Sequence, residues 1–320
     1  MGTIIAVKYP TKLFLKFFDH TYVMCGTGKV RWPCWGGSTG GTAFRRASAS
    51  TMRAALIAGA DGKAGIACYL VNGVCHQAAN RIMSAGDATV RGARGYWVST
   101  ALYGAYGRPF GIAGTCASPF DEHLGVTGDL PDCLPGPGTG AQLDDIRFDP
   151  GVADAEVAHV DGPRGPGGPD GGPDDGTFVL REREFMAEMR WRYAERGGAA
   201  LHDIESVKAF QLDLFDALVD FRLGDGAREV KGALMNVRAR IEDARIPLDY
   251  GITRGALGPE EFVTQYNALT ERFQDDVLNA VGGARYRQLF DLEPGDTVVF
   301  GEVEVAREAY SSGRSGQGEA

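Results

Sequence analysis

An α+β fold is predicted by three features of the chain. Short β-like runs separated by glycine-rich turns fill the part up to about Cys116, one compact helix beginning near Val74 interrupts them, and apolar residues recur every three or four positions beyond Phe178. Together they predict an antiparallel sheet packed on a cysteine-bearing helix, followed by a mainly helical C-terminal module.

The β-like runs are Ile4–Tyr9, His20–Cys25, Val30–Trp35, Ile66–Val71 and Val90–Ser99, each rich in β-branched or aromatic residues. A helix from Thr51 to Ala58 follows Ser50. The helix near Val74 places Val74, Ala78, Ile82 and Met83 on the face toward the sheet, with Gln77 and Arg81 elsewhere on the cylinder. Asn72 is positioned to cap it, because an Asn side chain accepts from N–H groups one turn in. From Ser118 the texture changes to Gly, Pro and Asp, as in Leu130–Gly138 and Asp161–Pro173, a composition that reads as loop or disordered linker over 118–177. Helices are expected near 180–195, 203–223, 227–243, 259–281 and 283–290, punctuated by Gly224, Pro247 and Gly258. A late strand at Thr297–Phe300 and a disordered tail over 311–320 complete the chain, giving units at 1–117, 118–177, 178–310 and 311–320.

The chain has 320 residues and a formal net charge of −9, with no Lys/Arg cluster dense enough for a phosphate-binding face, which argues against a nucleic-acid partner. The first residues lack the sustained apolar core of a signal peptide, and no stretch reaches the roughly 18 apolar residues that a membrane span needs. A cytoplasmic location is expected. There the six cysteines, at 25, 34, 68, 75, 116 and 133, would remain thiols. Oligomeric state is not legible.

The run Val71-Asn72-Gly73-Val74-Cys75-His76 carries the chemistry. A thiol in the first helical turn meets unpaired N–H groups and the positive end of the helix dipole, which favour the thiolate. A cysteine nucleophile also needs a base, and His20, on an earlier strand, can supply it. The Cys75 N–H and the Asn72 amide are the candidate oxyanion donors. Asp19, Tyr22 and Ser38 are alternatives for orienting the imidazole. The candidate catalytic residues are therefore Cys75, His20 and Asn72, with no cofactor and no metal.

A histidine on a strand (His20-Thr21-Tyr22-Val23), a glycine-rich hairpin, and then a cysteine at a helix start (Asn72-Gly73-Val74-Cys75) resembles the circularly permuted papain-like cysteine hydrolases, the NlpC type with lecithin-retinol-acyltransferase-like members. The resemblance covers roughly residues 15 to 100. It implies a papain-like N-terminal domain and a peptidase, amidase or acyltransferase acting through an acyl-thioester on a peptide, amide or acyl substrate. Where that family sets a polar orienter on the strand after the histidine, this chain reads Val30-Arg31-Trp32-Pro33-Cys34-Trp35. A second alignment, to transglutaminase-like proteins with cysteine before histidine, would use His123 and ranks lower.

Other readings weigh against these. Cys75 can be core filler, and His76 is expected to be exposed or to contact a loop. His123, His159 and His202 read as surface residues. A zinc site drawn from Cys25, Cys34, Cys68, Cys75, His20 and His76 fits no tetrahedral spacing. The glycine runs at 26–28 and 36–41 lack the phosphate-loop pattern and read as turns or cleft walls. Trp32, Trp35, Tyr96, Trp97, Tyr103 and Tyr106 are divided between a substrate groove and the core, and an aromatic cleft on a non-enzymatic scaffold is the alternative to catalysis.

Overall fold

The computed structural model describes residues 2–13, 16–32, 35, 37–64, 68–109, 147–148, 176–197 and 203–311. The glycine- and proline-rich runs of the expected linker, the residues from 312 on, His123, His159, His202, Cys34, Cys116 and Cys133 lie outside them.

The chain opens with a long hairpin, β1 (Gly2–Leu13) and β2 (Lys16–Cys25), in register from Ile4 opposite Cys25 to Leu13 opposite Lys16. The short β3 (Arg31–Trp32) adds to β2, and β4 (Thr42–Ala49) adds to the other side of β1 with an irregularity at Ala6/Val7. These four strands are antiparallel. A two-residue β5 (Arg147–Phe148) lies parallel to β4, so part of the expected linker belongs to the sheet, whose order is β3-β2-β1-β4-β5. Alternation along β1 divides its apolar residues between two clusters: Ile4 and Ala6 join the main core, while Ile5 and Val7 pack with Tyr22, Met24 and Ala43. Gly41 is required where the loop after β3 crosses β1. Its φ is +106°, and a Cβ there would sit 2.7 Å from the Lys8 carbonyl oxygen.

Three helices follow the sheet. In α1 (Thr51–Ala64) the first turn is capped by the Ser50 hydroxyl, which accepts from Arg53 N–H at 3.2 Å. The cysteine helix α2 (Cys75–Met83) is buried along its whole length. The expectation that Gln77 and Arg81 face away from the core fails because both are satisfied internally. Gln77 donates to Ser99 Oγ and the Gly104 carbonyl, both at 3.2 Å, and Arg81 donates to the Tyr106 carbonyl at 3.2 Å. Neighbouring Asn80 donates to Tyr96 Oη and the Ala105 carbonyl and accepts from Val90 N–H at 2.8 Å.

The described part of the run Ile66–Val71, from residue 68 on, and the run Val90–Ser99 do not form strands. Residues 68–74 form turns with a single bridge between Tyr69 and Gly73, and α3 (Tyr96–Tyr103) takes up the end of the second run. A helix apolar on every side is a core helix, and all eight residues of α3 are buried. Tyr96, Trp97, Tyr103 and Tyr106 are therefore core residues, and only Trp32 and Trp35 are partly exposed.

The helical half comprises α4 (Gly176–Arg192), α5 (Ile204–Leu223), α6 (Ala227–Thr253), α7 (Pro259–Phe290) and α8 (Val303–Ser311). Asp203 caps α5 by accepting from Glu205 and Ser206 N–H. Gly282, at φ 74°, breaks α7 where a division between two helices is expected. By contrast α6 runs through Pro247 to Thr253, its second half held by buried Arg245, Ile246, Asp249 and Ile252. The expected strand at Thr297–Phe300 is an extended segment that pairs with side-chain amides instead of another strand. Val298 exchanges two hydrogen bonds with Gln274, at 2.8 and 3.0 Å, and Gly301 exchanges two with Asn267, both at 2.9 Å. Immediately after it comes α8, which periodicity does not flag.

One cluster of buried side chains runs through both halves. Between them lies a fully buried ion network. Arg108 of the first half bonds Glu242 and, at 2.5 Å, Asp249 on α6. Arg238 bonds Glu242 at 2.8 Å and donates to the carbonyls of Ala101 and Leu102. Arg245 donates to the carbonyls of Leu70, Val71 and Leu102 and lies 4.4 Å from the Tyr103 ring centroid. Arg245 thus satisfies carbonyls of the irregular segment that leads into α2, and Arg238 and Arg245 those at the end of α3. Among the described residues no helix is long and apolar enough to cross a membrane.

Candidate functional site

Cys75 is the first residue of α2, preceded by Val74 in extended conformation as the cap residue. Its N–H is one of the first-turn amides with no acceptor inside the helix. The reciprocal cap comes from Gln77, whose side-chain oxygen accepts from Val74 N–H at 3.1 Å. Asn72 does not cap the helix. Its amide nitrogen donates to the Arg108 carbonyl at 2.9 Å while Arg108 N–H donates to the Asn72 carbonyl at 2.6 Å. That reciprocal pair makes Asn72 a strut between the approach to α2 and residue 108.

His20 lies on β2, opposite Tyr9 of β1, with the two ring centroids 4.7 Å apart. Both His20 and Cys75 are 3% exposed, Cys75 Sγ lies 3.9 Å from the carbonyl oxygen of Asp19, the residue before His20, and Cys75 is the group that acts most strongly to raise His20. His20 Nε2 lies 3.1 Å from the Gly37 carbonyl oxygen. A carbonyl only accepts, so Nε2 carries a proton and Nδ1 is the nitrogen that can accept one in the neutral ring. The glycine-rich loop that offers this carbonyl is pinned at several points. Tyr22 Oη donates to the Gly40 carbonyl at 2.8 Å, Arg31 to the Ser38 carbonyl at 2.7 Å, and Tyr9 Oη to Gly37 itself at 3.3 Å.

Thus the orienting group is a main-chain carbonyl and none of the three side chains named from sequence. The Asp19 carboxylate accepts from Arg94 N–H at 2.9 Å and faces Lys8 at 3.5 Å. Tyr22 and Ser38 shape the loop.

Burial works against the charged form of His20, yet the neighbouring Cys75, Glu302 and the Gly37 carbonyl together outweigh it and hold the imidazole above its ordinary value. Glu302 is itself raised, first by burial and then by Cys75, with His20 acting in the opposite direction. It stands just before α8, where Tyr69 Oη accepts from Glu302 N–H at 3.1 Å and donates to the Phe300 carbonyl at 2.6 Å. Phe300 in turn packs edge-on to Phe18 and His76, at 5.5 and 6.0 Å between centroids.

His76 differs most from expectation: it is fully buried, with Nδ1 2.9 Å from Ser99 Oγ and Nε2 2.8 Å from the Asp19 carbonyl oxygen. Cys25 is a buried free thiol 3.0 Å from Thr27 Oγ1. The expectation that all cysteines are thiols fails at Cys68, which is disulfide-bonded. Spacing along a chain does not reveal which sulfurs a fold brings together. Among the described residues no group of three or more His, Cys, Asp or Glu is arranged to hold a metal ion.

No known family model, curated protein or solved structure matches the chain.

Proposed function

We propose that the chain is a cysteine-dependent hydrolase or acyltransferase working through an acyl-thioester on an amide or ester, in the manner of the circularly permuted papain-like enzymes. The single observation that carries the reading is the placing of Cys75, at a helix start, against the strand of His20, its sulfur 3.9 Å from the Asp19 carbonyl oxygen, with the imidazole held above its ordinary value by its surroundings. The antiparallel sheet and the order of histidine strand before cysteine helix agree with it.

In the proposed cycle His20 takes the thiol proton and Cys75 attacks the substrate carbonyl carbon, forming the C–S bond. The oxyanion is received by the Cys75 N–H and the dipole of α2. Collapse expels the amine or alcohol, which leaves with the proton from His20. Water or an acceptor amine then gives its proton to His20 and attacks the thioester, and the sulfur departs as thiolate to recover that proton. The Gly37 carbonyl keeps Nε2 protonated, leaving Nδ1 to accept and return the proton.

The experiment is to mix the protein with p-nitrophenyl acetate and weigh it intact. A single acetyl group on Cys75, released by hydroxylamine and missing in Cys75→Ala and His20→Ala, is the expected result. Acetylation that persists in Cys75→Ala would remove the proposal.

A further inference from the structure

We propose that His76 is a positioning residue that keeps the Asp19 carbonyl from holding the Cys75 proton, so that the proton passes to His20. The inference rests on the catalytic reading of Cys75 and His20 given above. Three distances carry it. The Asp19 carbonyl oxygen is 3.9 Å from Cys75 Sγ, placed to accept the S–H bond; the same oxygen is 2.8 Å from His76 Nε2; and His76 Nδ1 is 2.9 Å from Ser99 Oγ. Since a carbonyl cannot donate, Nε2 carries the proton; the one Ser99 hydroxyl hydrogen has two acceptors in reach, His76 Nδ1 and the Tyr96 carbonyl at 2.8 Å.

Two consequences follow for the sulfur. A carbonyl lone pair facing a thiol stabilises the neutral S–H and repels the thiolate, and an N–H bond to that oxygen weakens both effects. His76 also ties α2 to the residue preceding His20, so one side chain fixes the separation of nucleophile and base. Asp19 is also held from the turn before α3, its N–H donating to the Arg94 carbonyl at 3.1 Å and its carboxylate accepting from Arg94 N–H at 2.9 Å, and its carboxylate faces Lys8 of β1 at 3.5 Å. Titratable and charged groups stand around the tether on every side: His20 and the Asp19 carboxylate from β2, Lys8 from β1, Cys75 from α2, Tyr96 from α3 and Glu302 ahead of α8. Of these only Cys75, at 3.9 Å, also reaches the Asp19 carbonyl among the described residues.

The test is the rate of Cys75 carbamidomethylation by iodoacetamide against pH, read by peptide mass spectrometry on the full chain. In His76→Leu the profile is expected to move to higher pH by about one unit, an approximately tenfold slower reaction at mildly acidic pH. His76→Gln, whose Nε2 can still donate to Asp19, is expected to restore most of that loss. A Leu variant that folds and alkylates like wild type overturns the inference and leaves the catalytic reading standing. A wild-type Cys75 that alkylates as an ordinary thiol removes both. Should the Leu variant not fold, nitrogen-15 NMR of the wild-type imidazoles decides: His76 protonated at Nε2 and not at Nδ1 is required, and the opposite tautomer overturns the inference.

Discussion

His20 Nε2 meets the carbonyl oxygen of Gly37 at 3.1 Å, so the imidazole is oriented by main chain and not by a carboxylate or amide. A backbone orienter has no titration of its own and survives substitution of the side chains beside it. The position of the loop, and not the identity of its residues, then sets the direction of the ring.

Ser38→Ala is therefore expected to leave the site intact. Only the carbonyl of Ser38 is bonded to Arg31, and truncating its hydroxyl removes nothing that reaches His20. Alkylation of Cys75 should stay within about twofold of wild type, a change of under about 0.5 kcal/mol in barrier. A collapse of reactivity in this variant would restore a side-chain orienter.

Glu302→Gln is expected to lower the protonation midpoint of His20. The carboxylate is one of the groups holding the imidazole above its ordinary value, so removing its charge shifts the midpoint down. Stability linked to that raised midpoint is fully present below the unfolded value and is lost as pH rises through the folded one; the variant should lose it at lower pH. A proton NMR titration of the His20 ring reads the shift directly, and an unchanged or higher midpoint contradicts the assignment.

Gly301→Ala tests how Glu302 is delivered to the site. A Cβ at 301 would lie 2.7 Å from Asn267 Oδ1 and 3.0 Å from Val263 Cγ1, breaking the paired amide bonds that hold the segment. Overpacking of this kind costs about 1–3 kcal/mol, measurable by urea unfolding. The His20 midpoint should move in the same direction as in Glu302→Gln. Loss of stability with no change at His20 would separate the segment from the site.

Acid should weaken the union of the two halves. Burial opposes the charge on Glu242, but Arg108, Arg238 and Arg245 outweigh it and hold its carboxyl at about 2, below the ordinary 4.5. A lowered folded value contributes stability above the unfolded one and loses it as pH falls from about 4.5 toward 2, here of the order of 3 kcal/mol. Glu242→Ala, which leaves the buried Arg238 guanidinium without its carboxylate and Arg108 with Asp249 alone, should cost about 3–5 kcal/mol at neutral pH and remove this acid dependence. Denaturant midpoints across pH would show both effects, and an acid profile unaltered in the variant would exclude Glu242 as its source.

What the sequence reveals follows from the range over which each signal acts. The β1–β2 hairpin, α2 and the helical half are local patterns of period 2 or 3.6, and they are legible. Strand β4 is not, because Phe44, Arg45 and Arg46 break any alternation; nor is α3, whose aromatic, β-branched composition reads as a strand until its burial on every side is known. Within the site, His20 and Cys75 carry chemistry in their residue types and are found. Gly37 contributes only a carbonyl, which no residue type advertises. Glu302 is delivered by the segment after α7, far along the chain from His20. Position at a helix start is all that the sequence offers for His76 and Asn72, whereas their partners, Asp19 and Ser99 for one and Arg108 for the other, lie on elements that only folding brings near.

The most direct test of the account is the pH dependence of Cys75 alkylation in wild type against His20→Ala. A thiolate shared with His20 predicts that wild-type Cys75 reacts with iodoacetamide near pH 6, well below the ordinary thiol range of about 8.5, and that His20→Ala reacts only as pH approaches that range. Identical profiles for the two proteins, both those of an ordinary thiol, would contradict it.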